Sequence, residues 1–192
     1  MTSTTVSRAV TDLLALTRER GPRCGAATVV AVDGRSGSGK TTLAAAITDR
    51  LRVDGADPVV LHLDDACPGW DGLVRTAPAL AESVLVPLGQ GRAGCYRRWD
   101  WLADRPGGLV EIPHDTTWLV LEGVGAGTRA IRPWLSALLW LQAPAPLRRR
   151  RGLDRDGEAY APHWERWARQ EDALLADDPV RDHADVQVDT RD

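Results

Sequence analysis

The sequence predicts an α/β domain of three layers, with a mostly parallel sheet of about five strands flanked by helices. Three observations lead there. Short, nearly all-apolar runs recur at 27–33, 58–63, 117–121 and 136–141, as in strands buried on both faces. Segments with apolar residues near helical spacing lie between them, the alternation of a layered α/β protein. Glycine-rich or acidic residues directly follow three of the runs, where the carboxyl ends of parallel strands gather ligand-binding groups.

The elements follow in order. Ser7 to Arg20 reads as an amphipathic helix, with Val10, Leu13, Leu14 and Leu16 near helical spacing and Gly21-Pro22 as its stop. Ala27–Asp33 is the first strand. A glycine-rich loop comes next, then a helix from Lys40 to about Val53 that ends near Gly55. Pro58–Leu63 is the second strand, with Asp64-Asp65 at its C-terminal end. Pro68–Gly72 reads as a turn, followed by a helix from about Pro78 to Leu88 that closes at Gly89–Gly91. Tyr96 to Leu102 reads as an extended, Trp-rich insertion. Thr117–Leu121 is the third strand, with Glu122-Gly123 behind it, and Ser136–Leu141 the fourth. Leu147–Arg155 and Pro162–Leu175 read as helices separated by Gly157, and Ala184–Val188 as a last short strand. With no internal repeat or low-complexity linker, residues 1–192 form one domain, with an insertion at about 92–113 and a lid at about 144–160.

Composition narrows the function classes. The 192 residues are 43% hydrophobic and 27% charged, with a formal net charge of −3. These are values of a globular protein, and they argue against wholesale binding to nucleic acid or anionic membrane. No apolar run approaches the roughly 20 residues that span a bilayer. The first residues lack the basic-then-apolar order of a secretory signal, so the expected compartment is the cytoplasm. Cys24, Cys67 and Cys95 have no C-x-x-C spacing, and free thiols are expected. Nothing in the composition decides between a monomer and a homo-oligomer.

The glycine-rich loop carries the strongest motif. Gly34, Gly39, Lys40 and Thr41 satisfy G-x-x-x-x-G-K-[ST], between a strand and a helix as that motif requires. Backbone N–H groups of Gly34, Ser36, Gly37, Ser38, Gly39, Lys40, Thr41 and Thr42 would cradle phosphate oxygens at the positive end of the helix. Lys40 would reach the β- and γ-phosphates and the Thr41 hydroxyl would ligate Mg²⁺. Lys40 is also the chain's only lysine among 24 Lys and Arg. Arginine is a broad planar fork and lysine a compact point charge, so the one basic position not written as Arg is the one where only lysine fits. The architecture is therefore expected to be a three-layer P-loop NTPase fold.

Four further constellations stand near it. Asp64-Asp65, at a strand end, can take a proton from an attacking hydroxyl or hold Mg²⁺ through water. Glu122, ending an apolar strand, has the pattern of a metal-shell acid. The run Arg148–Arg151, followed by Arg155, can place cations over a transferring phosphoryl group, although at most two of the four consecutive residues can face it. Arg155 lies four after Arg151 on the same face. Tyr96-Arg97-Arg98-Trp99-Asp100-Trp101 combines aromatic and charged groups suited to a flat polar ligand, or to packing on the core. His62 lies within a strand and reads as packed.

In this order the motifs resemble the uridine kinase family of P-loop kinases, with the phosphoribulokinase group behind it. The resemblance spans roughly residues 27–189. It rests on Gly34–Thr42, Asp64, Trp99-Asp100, Glu122-Gly123, Arg148–Arg155 and Ala184-Asp185-Val186. It implies ATP with Mg²⁺ and a small hydroxyl-bearing acceptor, nucleoside-like. Asp64 would be the general base and Glu122 would sit with Thr41 in the metal shell. Lys40, Arg151 and Arg155 would face the phosphates. Asp65, Tyr96, Arg98, Trp99 and Asp100 would lie on the acceptor side. The chain departs from the family pattern at Ala66-Cys67, at Trp99 in place of Tyr, and at Gly152 in the lid, mostly on the acceptor side. Another small alcohol (pantothenate-like, sugar-like or an antibiotic) is the alternative acceptor, and an ATPase switch the alternative class.

Overall fold

The structure is a computed structural model. It describes residues 3–191, without the side chains of Ser3, Asp156, Glu158 and Ala159. Met1, Thr2 and Asp192, at the ends of the expected domain, lie outside the described residues.

The strands in chain order are β1 (Thr28–Gly34), β2 (Val59–His62), β3 (Gly94–Asp100), β4 (Arg105–Ile112), β5 (Trp118–Glu122), β6 (Ala137–Gln142) and β7 (Val186–Asp189). Five of them form one sheet in the order β2-β5-β1-β6-β7, and every pair in it is parallel. This is the expected architecture. β1 shows why these residues make a central strand: its seven residues are all buried, and its side chains alternate between two cores. Val29 and Ala31 join Leu61, Leu119, Leu121 and Leu138 on one face. Val30 and Val32 join Leu43, Ile47, Leu139 and Leu141 on the other, with Leu13 and Leu14 from α1 (Ser3–Arg20). Each fully buried aliphatic side chain contributes about 1.5–3 kcal/mol relative to exposure. An element buried on both faces therefore has no polar alternation to read, as the sequence has none.

The helix α2 (Lys40–Val53) runs as expected. Two other elements differ from expectation. The helix expected from Pro78 begins at Leu73, as α4 (Leu73–Leu80), and continues through a π-helical turn, Ala81–Leu85, into α5 (Val86–Gly89). Proline favours a helix start but does not dictate one. Burial of Leu73, Thr76, Ala77 and Leu80 along one face carries the helix through Pro78. The insertion is a hairpin of β3 and β4, not one extended segment. Pro106-Gly107-Gly108 hides β4 in the sequence, yet Pro106 pairs with Trp99, and a two-stranded ribbon is all edge, where proline is tolerated.

Asp64 and Asp65 sit in the single helical turn α3 (Leu63–Ala66), immediately after β2. The Arg run lies in α6 (Ala145–Tyr160), which has a non-helical residue at Gly157 (φ 61°, ψ −143°). It leads through a 3₁₀ turn, Ala161–His163, into α7 (Trp164–Asp177). A third apolar cluster, including Leu73, Val124, Tyr160, Trp164, Trp167 and Leu174, ties α6 and α7 to α4. All three cysteines are free thiols. Among the described residues no helix is long and apolar enough to cross a membrane.

Candidate active site

Parallel strands deliver β1, β2 and β5 to one edge, and their register decides which residues meet there. Glu122 is paired with Val32 of β1 on one side and His62 of β2 on the other. The phosphate-type loop leaves β1 at Gly34 and enters α2 at Lys40. Two glycines are needed where the chain is tight. Gly37 has φ 75°, and a Cβ there would stand 2.1 Å from the Arg148 carbonyl oxygen. Gly39 has φ 101° at the N-cap of α2, a conformation other residues rarely adopt. The 14-residue helix behind it points its positive end into the loop.

The loop is held from below, from the side and from the C-terminus. Below it, Asp33 is fully buried. Its carboxylate accepts the N–H groups of Gly34 (2.6 Å), Gly125 (3.1 Å) and Gly127 (2.8 Å), joining the loop to the segment after β5. From the side, Glu171 accepts the Ser36 N–H at 2.8 Å, and Arg148 donates to the Ser36 carbonyl at 3.2 Å. Glu171 and Arg148 are 1% and 8% exposed and stand 3.8 Å apart. From the C-terminus, the Thr190 hydroxyl donates to the Ser38 carbonyl at 2.8 Å and accepts from Arg151 at 3.0 Å. Arg151 also donates to the Thr190 carbonyl. The base of α6 is thus bound to the loop, and Arg148 and Arg151 serve as its struts.

Burial pushes the Asp33 carboxyl up to about 6, against the pull of the Gly127, Gly34 and Gly125 N–H groups and of Lys40. The folded value lies above the unfolded one, near 3.9. The folded protein therefore holds this proton more tightly, and the group's stabilisation is lost as pH rises from about 4 to about 6. An Asp33→Asn protein lacks that loss. Its stability relative to the native sequence is expected to improve between pH 4 and pH 7 by roughly 3 kcal/mol, measured by urea unfolding at both pH values. A constant difference would contradict the assignment.

Lys40 is 8% exposed and its ammonium donates to the Arg35 carbonyl at 3.2 Å, inside the mouth of the loop. A cavity of about 190 Å³ opens there, lined by Gly37, Gly39, Lys40, Thr41, Thr42, Arg151, Gly152 and Arg155. Beside it the Thr41 hydroxyl stands 3.4 Å from Glu122 Oε1, and Glu122 Oε2 lies 2.7 Å from His62 Nδ1. Burial pushes the Glu122 carboxyl up, but the His62 hydrogen bond and the charges of Lys40, His62 and Arg155 outweigh it and hold it below its ordinary range. His62 is raised in turn, chiefly by its hydrogen bond to Glu122 and against desolvation. The expectation that His62 is merely packed is corrected: its side chain is 42% exposed and fixes one oxygen of Glu122, leaving the other toward Thr41.

A second cavity, of about 390 Å³, adjoins the first through Arg155, which lines both. Its floor is Asp64, Asp65 and Ser36, and its walls are Trp70, Trp101, Tyr160 and Trp167. Asp64 opens to this cavity. Desolvation by the packed walls on its other sides raises its carboxyl; Lys40 pulls it down, and Glu122 adds to the rise. Trp101 Nε1 donates to the Asp64 carbonyl at 3.0 Å, so the tip of the hairpin is fastened beside the acid. Trp70 stacks on His163, with ring centres 4.1 Å apart and planes within 8°, and meets Trp101 edge-on at 4.8 Å.

The structure brings together Lys40, Thr41, Glu122, Asp64, Asp65, Arg151 and Arg155 around two adjoining cavities. It does not bring Tyr96, Trp99 or Asp100 into the cavity beside Asp64. Tyr96, Arg98 and Trp99 line a separate hollow between the hairpin and α4, and Tyr96 is only 7% exposed. Asp100 accepts the N–H groups of Leu102 and Ala103, capping the hairpin turn. Arg98 touches the site indirectly, 3.3 Å from Asp65. Sequence reasoning did not single out Trp70, Tyr160 and Trp167, and of the constellation Tyr96 to Trp101 only Trp101 lines this cavity. Period-2 alternation, which sends Trp99 and Trp101 to one side and leaves only the turn to redirect Trp101, carries no signal for this.

The loop after β1 and the parallel order β2-β5-β1-β6-β7 together define a P-loop NTPase-like α/β fold. The solved structures that share it include a possible uridine kinase from Bacillus stearothermophilus, with 23% identity and TM-score 0.67 over 95% of this chain and 98% of that one. A protein provisionally described as a fructose transport system kinase, from Silicibacter sp. TM1040, matches at 19% identity and TM-score 0.61 over 98% and 99%. A D-glycerate 3-kinase from Cryptococcus neoformans var. grubii matches at 12% and 0.57 over 88% and 86%. No protein-family profile and no curated protein sequence matches the chain. Its structural neighbours are thus uridine kinase-like and related P-loop kinases, and at these identities the likeness establishes the fold.

Proposed function

We propose that this protein is an ATP-dependent phosphotransferase, cytoplasmic and Mg²⁺-requiring, that moves the γ-phosphoryl group to a hydroxyl of a small, nucleoside-like molecule. One observation carries the reading. Asp64 stands at the floor of an aromatic cavity that adjoins the phosphate loop through Arg155, so that a bound hydroxyl would lie between a carboxylate and the phosphate cradle.

The residues fit the groups the reading requires. The loop leaves no room for a Cβ at Gly37, as a backbone cradle for phosphate demands. Thr41 and Glu122 are a hydroxyl and a carboxylate, hard oxygen donors of the kind Mg²⁺ takes. Among the described residues no cluster of three or more His, Cys, Asp or Glu forms a complete metal cage; Mg²⁺ at phosphate sites uses few protein ligands, with phosphates and water filling the rest. When bound, Mg²⁺ neutralises charge on the β- and γ-phosphate oxygens. His62 would keep Glu122 ionised and oriented for it.

The chemistry of the chain's own residues is then simple. The acceptor oxygen attacks the γ-phosphorus, the bond to the β–γ bridging oxygen breaks, and ADP leaves. Asp64 takes the hydroxyl proton as the new bond forms. Its raised affinity for that proton, compared with a solvated carboxylate, suits it to the task. Lys40 and Arg155 would hold the phosphate charge, with the aromatic walls excluding water. Arg151 would act by fixing Thr190 and the loop as much as by its charge. ADP release from purified protein, ATP and Mg²⁺ is expected to rise only on adding an acceptor. Release at the same rate without any acceptor would support an ATPase switch instead.

A further inference from the structure

Several polar groups around the aromatic cavity are already engaged. Trp101 Nε1 is engaged with the Asp64 carbonyl. The Ser36 N–H and carbonyl are taken by Glu171 and Arg148. Arg155, the one cation among the described lining residues, also lines the phosphate-loop cavity. The charged groups that a ligand meets away from the phosphates are the carboxylates of Asp64 and Asp65, set among four aromatic side chains, with Trp167 Nε1 buried and unpartnered beside them. Carboxylates only accept hydrogen bonds. Asp65 is one-third exposed, and Arg98 reaches its Oδ2 from outside the cavity at 3.3 Å. A ligand that satisfies this lining presents donors, one to Asp64 and one to Asp65, and an apolar or ring body to the aromatics.

Taking the phosphotransferase reading as its basis, we infer that the acceptor is an amine-bearing alcohol: its hydroxyl lies on Asp64, and an amino or ammonium group lies on Asp65 against the Trp70 and Trp101 rings. Two physical effects act in the same direction. An N–H group, above all a charged one, makes a charge-assisted hydrogen bond to a carboxylate. A cation near the face or edge of aromatic rings gains from their quadrupoles, most with tryptophan. The same lining rejects anions, because a carboxylate or phosphate on the acceptor would face Asp64 and Asp65 with only Arg155 to answer it. The cavity thus differs from one built for an acidic alcohol.

Calorimetric titration of the protein loaded with Mg²⁺ and ADP tests this with matched probes: cytidine against uridine, D-glucosamine against D-glucose, and D-glycerate as the anion. The amine-bearing member of at least one pair is expected to bind about tenfold more tightly or better than its partner, and D-glycerate not to bind. Asp65→Asn is expected to bring the two members of that pair within about threefold of each other, while ADP affinity, which reports the fold, is retained. Uridine, glucose or glycerate binding as tightly as the amines overturns the inference. So does discrimination that survives Asp65→Asn, or a panel in which nothing binds. Phosphorylation of any probe, whichever is preferred, leaves the phosphotransferase reading standing, so the two claims fail separately.

Discussion

Asp64→Asn is expected to lower turnover with the acceptor by about 10²–10⁴-fold, the usual contribution of a positioned general base, while leaving nucleotide affinity nearly unchanged. The separation of effects follows from position. Asp64 lies in the turn after β2 and opens to the aromatic cavity, whereas the phosphate loop is built by β1, α2 and the struts from α6 and α7. Asparagine keeps the size of the side chain and removes its ability to take a proton. It also lifts the repulsion between Asp64 and Glu122 that contributes to the raised Asp64 carboxyl, so the fold should not suffer. Single-turnover measurements with saturating ATP read the chemical step. Turnover within a few-fold of the native protein would remove Asp64 from the role of base and direct attention to Asp65, its neighbour in the same cavity.

Lys40→Ala is expected to cost on the order of 10²–10³ in turnover, the magnitude seen when one preorganised charge is removed from an active site, and to weaken ATP binding as well. Lys40→Arg is expected not to rescue it. The ammonium of Lys40 sits 3.2 Å from the Arg35 carbonyl inside a loop whose backbone closes on it. A compact charge fits there, and a planar fork does not. Every other Lys or Arg position in this chain is arginine, so an arginine that worked here would contradict the packing account. ATP titration of both variants, alongside kcat, separates lost affinity from lost chemistry.

The parts of the site that were legible in the sequence are those made by contiguous residues. Gly34–Thr42 is one loop, and its lysine, threonine and glycines carry their roles in their spacing. Glu122 could be read because it ends an apolar run, and the register that places it between β1 and β2 follows from parallel pairing. The sheet itself was legible because strands buried on both faces have no competing pattern. What was not legible depends on side chains converging from distant segments. Trp70 lies in a turn, Trp101 tips a hairpin, and Tyr160 and Trp167 come from the end of α6 and from α7. No periodicity relates these four. Tyr96 and Trp99 were equally good candidates by type, but the direction a hairpin faces depends on its second strand, and Pro106-Gly107-Gly108 conceals that strand. His62 and Asp33 were hidden differently. Each is a single polar residue in an apolar strand, and only the partners, Glu122 for one and three loop amides for the other, distinguish an organised group from a packed one.

The central claim is that phosphoryl transfer occurs at Asp64 to an acceptor held in the aromatic cavity. Mass spectrometry of the acceptor after incubation with ATP, Mg²⁺ and the native protein tests it most directly, with Asp64→Asn run in parallel. The account predicts a phosphorylated acceptor and an equal amount of ADP with the native protein, and almost none of either with the variant. ADP formed without any phosphorylated acceptor, at rates the Asp64→Asn protein matches, would contradict it.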